Sequence, residues 1–344
     1  MQQSRLHNDS GLPARSVAGF TIIELLVAMA LGMVILAGLF RTFKVQQDSY
    51  VIQDQVSAMQ QNLRAAMYMI TRDLQLAGYY TNFDRNNRQM DWNDLDGDSN
   101  PANNMETGRP LIFAVNNASV SGDDIKDNTD VIVIVKASRE EGRLLGSGES
   151  ASGNSISLTS WNLDSESGDD LNTAQKKYGV LVKNDLSYAE LFHLDNSGNI
   201  TAPLTESYTP DLDTPARSDR VHRADIIIYR VDDSTPTRPC LVRKNLGSDN
   251  GYQVIAENID NLQFRYQLND GNWVNDPAGN QTRVRAVEVL LIGRTAAPQR
   301  GYIDSSTYTF GSGATAYSYT PTGDDRKYRR KALTSLIKTR NIGL

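Results

Sequence analysis

From Gly19 to Phe40 the chain reads GFTIIELLVAMALGMVILAGLF, apolar at almost every position, with Glu24 as its one ionisable side chain. About twenty apolar residues in a row make a helix long enough to cross the hydrocarbon core of a bilayer. The pattern then changes. From Arg41 to Ala77 there is no proline or glycine, and apolar residues recur at Val45, Ile52, Val56, Met59, Leu63, Met67, Ile70, Leu74 and Ala77. Steps of three, four or seven residues place these side chains on one helical face, with Gln, Asp, Arg and Ser opposite. The spacing predicts one helix from Thr21 to Ala77, closed by Gly78 in a left-handed cap. Residues 20–40 form its transmembrane part, and residues 41–78 form an amphipathic second half that lies against a globular head. The heptads are few, and Ala and Met dilute them, so packing on the protein's own sheet is favoured over a coiled coil.

Beyond the helix the period shortens to two. LIFAV, DVIVIVK, NSISLTS, GVLVK and YAELFHL are short β-branched or aromatic runs parted by Gly, Asn, Asp and Ser clusters, the pattern of strands. Asp130 to Lys136 is unbroken enough to predict a central strand covered on both faces. Residues 79–218 therefore read as a first β-rich part of the head with loop insertions, and residues 219–344 as a C-terminal antiparallel sheet. In the latter, ADIIIYRV pairs with CLVRKN across STPTRP. Alternation is plain at Leu262, Phe264, Tyr266 and Leu268, and again at Val287, Val289 and Leu291. The predicted fold class is α+β.

Composition narrows the function. The chain has 344 residues and a net charge of -6, which does not favour nucleic acid as a general partner. One cysteine, Cys240, rules out an intramolecular disulfide, and its setting between Pro239 and Leu241 reads as a buried thiol in a strand. His7, His193 and His222 are isolated, and no HExxH, paired cysteines, Gly-rich phosphate loop or G-x-S-x-G elbow is present, so no enzyme is predicted. In DWNDLDGDSNPANNME, Asp94, Asp96, Asp98 and Asn100 alternate as calcium-loop ligands do. Ser99 stands where a glycine normally permits the bend, and Met105 where a bidentate glutamate would close the loop. A solvated Asx-rich turn is the simpler reading, with calcium as the alternative and no other cofactor implied. The basic run Arg326, Lys327, Arg329, Arg330 and Lys331 reads as a solvated strand end, with DNA as a less favoured partner.

The membrane segment carries the most specific signal. An ionised carboxylate in lipid costs about 2.5 to 3.5 kcal/mol even on lenient insertion scales, so Glu24 calls for a partner. Gly19 before Phe20, then Thr21, then Glu24 ahead of an apolar helix resembles the class III signal of type IV prepilins and type II secretion pseudopilins. The resemblance implies a leader over residues 1–19, cleavage after Gly19 by a membrane-embedded prepilin peptidase, and N-methylation of Phe20. It also implies a salt bridge during assembly between Glu24 and the new terminal amine of the same or a neighbouring subunit. At the other end, IAENIDNLQFRYQL, a tryptophan-bearing turn, RVRAVEVLLIGRT and YRRKALTSLIKTRN resemble the C-terminal half of PilW-type minor pilins, relatives of the J-type pseudopilins. The implied partners are other minor pilins, the major pilin and the inner-membrane assembly platform. The implied place is the inner membrane with a periplasmic head, then the pilus tip. Rival expectations are a J-type pseudopilin of a secretion system, and a tip adhesin or DNA-uptake module.

Overall fold

The computed structural model describes residues 19–86, 88–91, 105–118, 124–138, 142–159, 178–194, 198–246 and 251–342. Helix α1 (Ile22–Gln75) is 54 residues long and ends close to the predicted stop. Gly78 follows with φ +77, and a Cβ there would lie 3.0 Å from the Ile342 side chain, so both backbone and space require glycine. The chain divides into two compact units, Met1–Asp54 and Gln55–Leu344, and α1 contributes to both.

In the first unit the apolar side chains of α1 are exposed, among them Ile23, Met33, Phe40 and Phe43. The one helix long and apolar enough to cross a membrane among the described residues is this one. Val45 also lies bare, so the predicted stripe is not buried at its start.

In the second unit the stripe is buried from Met59 onward, through Leu63, Met67, Ile70 and Leu74. These side chains join one core with strands of two antiparallel sheets. The strands follow in chain order. β1 (Arg88–Asp91) and β2 (Met105–Gly108) form a hairpin of their own. β3 (Ile112–Ala118), β4 (Thr129–Ala137) and β5 (Arg143–Leu144) come next, then a small hairpin of β6 (Ser150–Ser152) and β7 (Ser155–Ser157). β8 (Tyr178–Val182), β9 (Ala189–His193), β10 (Arg220–Asp232), β11 (Cys240–Asn245) and β12 (Gln253–Glu257) complete the large sheet. Its main path runs β12-β11-β10-β4-β3, and the long β10 also pairs with β5 and β8. The second sheet contains β13 (Ile259–Leu268), β14 (Trp273–Val274) and β15 (Val284–Arg294), then, after the β16 (Tyr308–Phe310) and β17 (Tyr317–Tyr319) hairpin, β18 (Arg330–Lys338). Its order is β14-β13-β15-β18.

All nine residues of β4 are buried. Ile132 and Ile134 face the core shared with α1, whereas Val131, Val133 and Val135 enter a separate core on the other side, which is why the run carries no polar alternation. The predicted pairing of ADIIIYRV with CLVRKN is the β10–β11 ladder. Leu262, Phe264 and Tyr266 on β13 and Val287, Val289 and Leu291 on β15 all turn toward the helix-side core, as their spacing predicts. Gly293 lets the two surfaces approach, since a Cβ there would meet Leu63 Cγ at 2.9 Å.

Polar side chains fix how these layers meet. Asp73, buried on the helix stripe, accepts hydrogen bonds from the Tyr229 hydroxyl at 2.7 Å and Arg243 Nε at 3.0 Å. Asp130 Oδ2 accepts the Phe264 N–H, and Oδ1 accepts the Asn117 N–H. The Asn128 carbonyl accepts from Gln263 Nε2 at 2.8 Å, and Lys126 pairs with Asp260 at 2.7 Å. The turn before β4 thus closes the far edge of β13, where a strand would otherwise lie. His193 ends β9, and Cys240 opens β11 as a buried free thiol. Burial pushes that thiol's pKa upward, and this suits packing better than reactivity.

Candidate functional site

The sequence points first to residues 19–24, where α1 begins. Thr21 precedes the helix and Glu24 lies in its first turn. Thr21 N–H donates to Glu24 Oε2 at 2.9 Å, and the Thr21 hydroxyl donates to the same oxygen at 3.0 Å. In return Glu24 N–H donates to Thr21 Oγ1 at 3.3 Å. This is a capping box: the two side chains satisfy backbone donors that a helix start leaves without partners. The carboxylate also lies at the positive end of the helix dipole. Its signature, Thr-x-x-Glu before an apolar run, is present in the sequence.

The geometry changes what Glu24 needs. Its charge is held over the first turn by local hydrogen bonds, and Phe20 beside it is 89% exposed. A second positive group arriving at the start of the helix would meet a carboxylate already oriented toward it. No described residue supplies that group, because every hydrogen bond to the Glu24 side chain comes from Thr21.

Other candidates fare differently. Asp94, Asp96, Asp98 and Asn100 lie outside the described residues, and no group of three or more potential metal ligands occurs among the described ones. The basic run is only in part the solvated strand end that the sequence suggests, because Lys327 and Lys331 are exposed while its arginines are engaged inside the head. Arg330 has a side-chain exposure of 0% and pairs with Asp260 at 2.6 Å, while Arg294 reaches Asp260 at 3.5 Å and Asp325 at 3.2 Å. Arg329 stacks on Tyr302 and donates to Gln299 Oε1 at 2.6 Å, and Arg326 donates to the Asp304 carbonyl. Burial alone would raise the Asp260 pKa, yet Lys126 and Arg330 outweigh it and hold the carboxyl well below the ordinary range. The arginines most able to grip a phosphate are already committed inside the head, which weakens the DNA reading. Sequence reasoning missed this because Asp260 lies 70 residues from Arg330, and only the sheet brings them together.

Comparison with known proteins covers both ends of the chain. The family described as type IV pilus-assembly protein W matches residues 228–341, from within β10 to just past β18. The prokaryotic N-terminal methylation motif matches residues 14–40, which contain the capping box and the apolar start of α1. No curated protein and no solved structure matches the chain. An apolar helix carrying this motif anchors the protein in a membrane, and the sheet with which α1 shares a core in the second unit is the part that the pilus-assembly family recognises. The match at the C-terminal end and the motif at the start together support a type IV minor pilin of the PilW kind.

Proposed function

We propose that this chain is a minor pilin that helps to initiate type IV pilus assembly and stays at the pilus tip. In this reading a prepilin peptidase cuts after Gly19 and the new amine of Phe20 is methylated. The helix sits in the inner membrane with the head in the periplasm until the subunit is drawn into the filament. Its partners are sibling minor pilins, the major pilin and the inner-membrane assembly platform. Residues 20–40 provide the membrane part, 41–78 the remainder of the helix, and 79–218 with 219–344 the head that sets position and partners.

One observation carries the reading: a carboxylate stands at the first turn of an apolar helix, and among the described residues only Thr21 satisfies it. Cleavage after Gly19 creates an ammonium group next to that turn. Two opposite charges in a low-dielectric setting attract strongly, and each lowers the other's cost of leaving water. Pairing with the chain's own amine would neutralise the start of the helix, and pairing with a neighbour's would set the stagger between subunits.

Mass spectrometry of the mature N-terminus tests the proposal. A chain beginning at methylated Phe20 is expected, and a chain that keeps residues 1–19 in pilus-forming cells would overturn it. Glu24→Ala should insert in the membrane normally yet abolish or sharply reduce piliation, and unchanged pilus numbers would count against the proposed role.

A further inference from the structure

The two edges of the four-stranded sheet are treated differently. Along β13 the outer edge is closed: Asp130 takes the Phe264 N–H, the Pro239 carbonyl takes the Ile259 N–H, and β14 pairs with Tyr266 and Gln267. The other edge belongs to β18, nine residues long, which pairs with β15 alone. Its hydrogen-bonding phase follows from the two ends of the ladder. Thr339 N–H donates to the Arg285 carbonyl at 3.1 Å, and Thr295 N–H donates to the Arg329 carbonyl at 2.9 Å. These bonds flank the register that sets Ala286 opposite Lys338 and Arg294 opposite Arg330. In an antiparallel pair bonded and non-bonded positions alternate, so odd-numbered residues of β18 face β15. Ala332, Thr334 and Leu336 therefore turn their N–H and C=O groups outward, and no described residue bonds to them.

Exposed edges of this length are normally blunted by a bulge, a proline, charged side chains or a covering segment, and the charges of β18 are confined to its ends. β18 has no bulge in its register with β15 and no proline. At its centre the exposed side chains are Ala332, Thr334 and Leu336, the last 53% exposed, beside the half-buried Leu333 that packs on the helix-side core. Lys338 lies at one end on the face that carries Ala332, Thr334 and Leu336, Lys331 at the other end on the opposite face with Leu333, and Arg340 just beyond, all exposed and none in an ion pair among the described residues. A row of outward backbone groups recognises another extended strand, and the cations at either end select carboxylates flanking an apolar centre.

We infer that the β18 edge is a strand-addition site that takes an extended, carboxylate-flanked segment of a neighbouring, different subunit. This rests on the pilin reading above, because it assumes that the head meets other subunits during assembly. The added strand would continue the sheet past Leu333 on one face and Leu336 on the other.

Thr334→Pro tests it in the full-length protein. Proline deletes an outward N–H and leaves the ladder to β15 intact, whereas Ser335→Pro deletes an inward one and serves as the destabilised control. Thr334→Pro should keep the parent's melting temperature and lose piliation to the level of a deletion strain. In parallel, Leu336 is replaced by a benzophenone amino acid in cells, and its photoproducts are mapped by mass spectrometry. A crosslink to a carboxylate-flanked segment of another pilus subunit is expected. Wild-type piliation by a folded Thr334→Pro protein overturns the inference, as does a crosslink to a second copy of this chain or the absence of any crosslink to protein. Should Thr334→Pro lower the melting temperature, the crosslink alone decides. Normal piliation of the deletion strain or of Glu24→Ala would instead bring down the pilin reading, and this inference with it.

Discussion

Glu24 and Asp260 are both carboxylates in settings that penalise charge, and they are answered in opposite ways. Asp260 lies at the centre of the second unit with Lys126, Arg294 and Arg330 around it and the Tyr319 hydroxyl at 2.7 Å. Every partner it needs is in the same chain. Among the described residues Glu24 has only Thr21, and the apolar side chains that follow it are bare. The difference separates a unit that completes itself from one whose apolar surface must be covered by its surroundings, as a membrane anchor requires.

That contrast can be broken most forcefully at Asp260. Asp260→Ala takes the shared anion from Lys126, Arg294 and Arg330, leaving Arg294 with Asp325 at 3.2 Å and Arg330 with Asp304 at 3.6 Å, and losing one partner of a buried pair costs about 3 to 5 kcal/mol. Urea unfolding of the full chain in detergent should show it, and a loss within error would mean that the cluster is solvated. Leu63→Ala attacks the packing of the same unit by opening a cavity against Gly293, at about 2 to 5 kcal/mol by the same measurement.

Asp130 sharpens the comparison, because it is a buried carboxylate with no cation bonded to it among the described residues. Burial pushes its pKa up to about 7 against the pull of the Asn117 and Phe264 N–H groups. The folded protein then holds a proton that the unfolded chain releases near its ordinary, lower pKa. Its contribution to stability is therefore full only below the ordinary aspartate pKa of 3.8, falls as pH rises from there to about 7, and is flat above that. Urea midpoints should fall from pH 5 to pH 8, and Asp130→Asn, neutral throughout, should flatten that slope. An unchanged slope would remove Asp130 as its origin.

The smallest effect belongs to the first unit. Thr21→Val removes the capping hydroxyl and should weaken the start of α1 by about 1 kcal/mol. Faster amide exchange at Ile22 to Glu24 in micelles, with unchanged unfolding of the second unit, is the expected result. A lowered melting point of the second unit would contradict the division between the two.

Much of this was legible before any coordinates. Twenty apolar residues followed by a periodic stripe specify a helix, and the alternation in β13 and β15 specifies which side chains turn inward, because both patterns repeat within a few residues. The Gly-Phe-Thr-x-x-Glu start was equally local, and so was its capping box, which went unread. The basic run near the C-terminus was misjudged in part, for the opposite reason. Nothing within several residues of Arg330 reveals that Asp260 lies beside it, and the same holds for Asp73 with Tyr229 and Arg243.

What the sequence determined by itself is what short-range sterics and hydrophobic period can encode: an anchor with one acid at its head, a stripe continuing toward a core, and strands with a known inward face. Only the tertiary structure decided which charges are spent internally, where on the stripe burial begins, and which sheet edge is left open. Those outcomes depend on residues far apart in the chain meeting at hydrogen-bonding distance, and strand order and register, not local pattern, determine which of them meet.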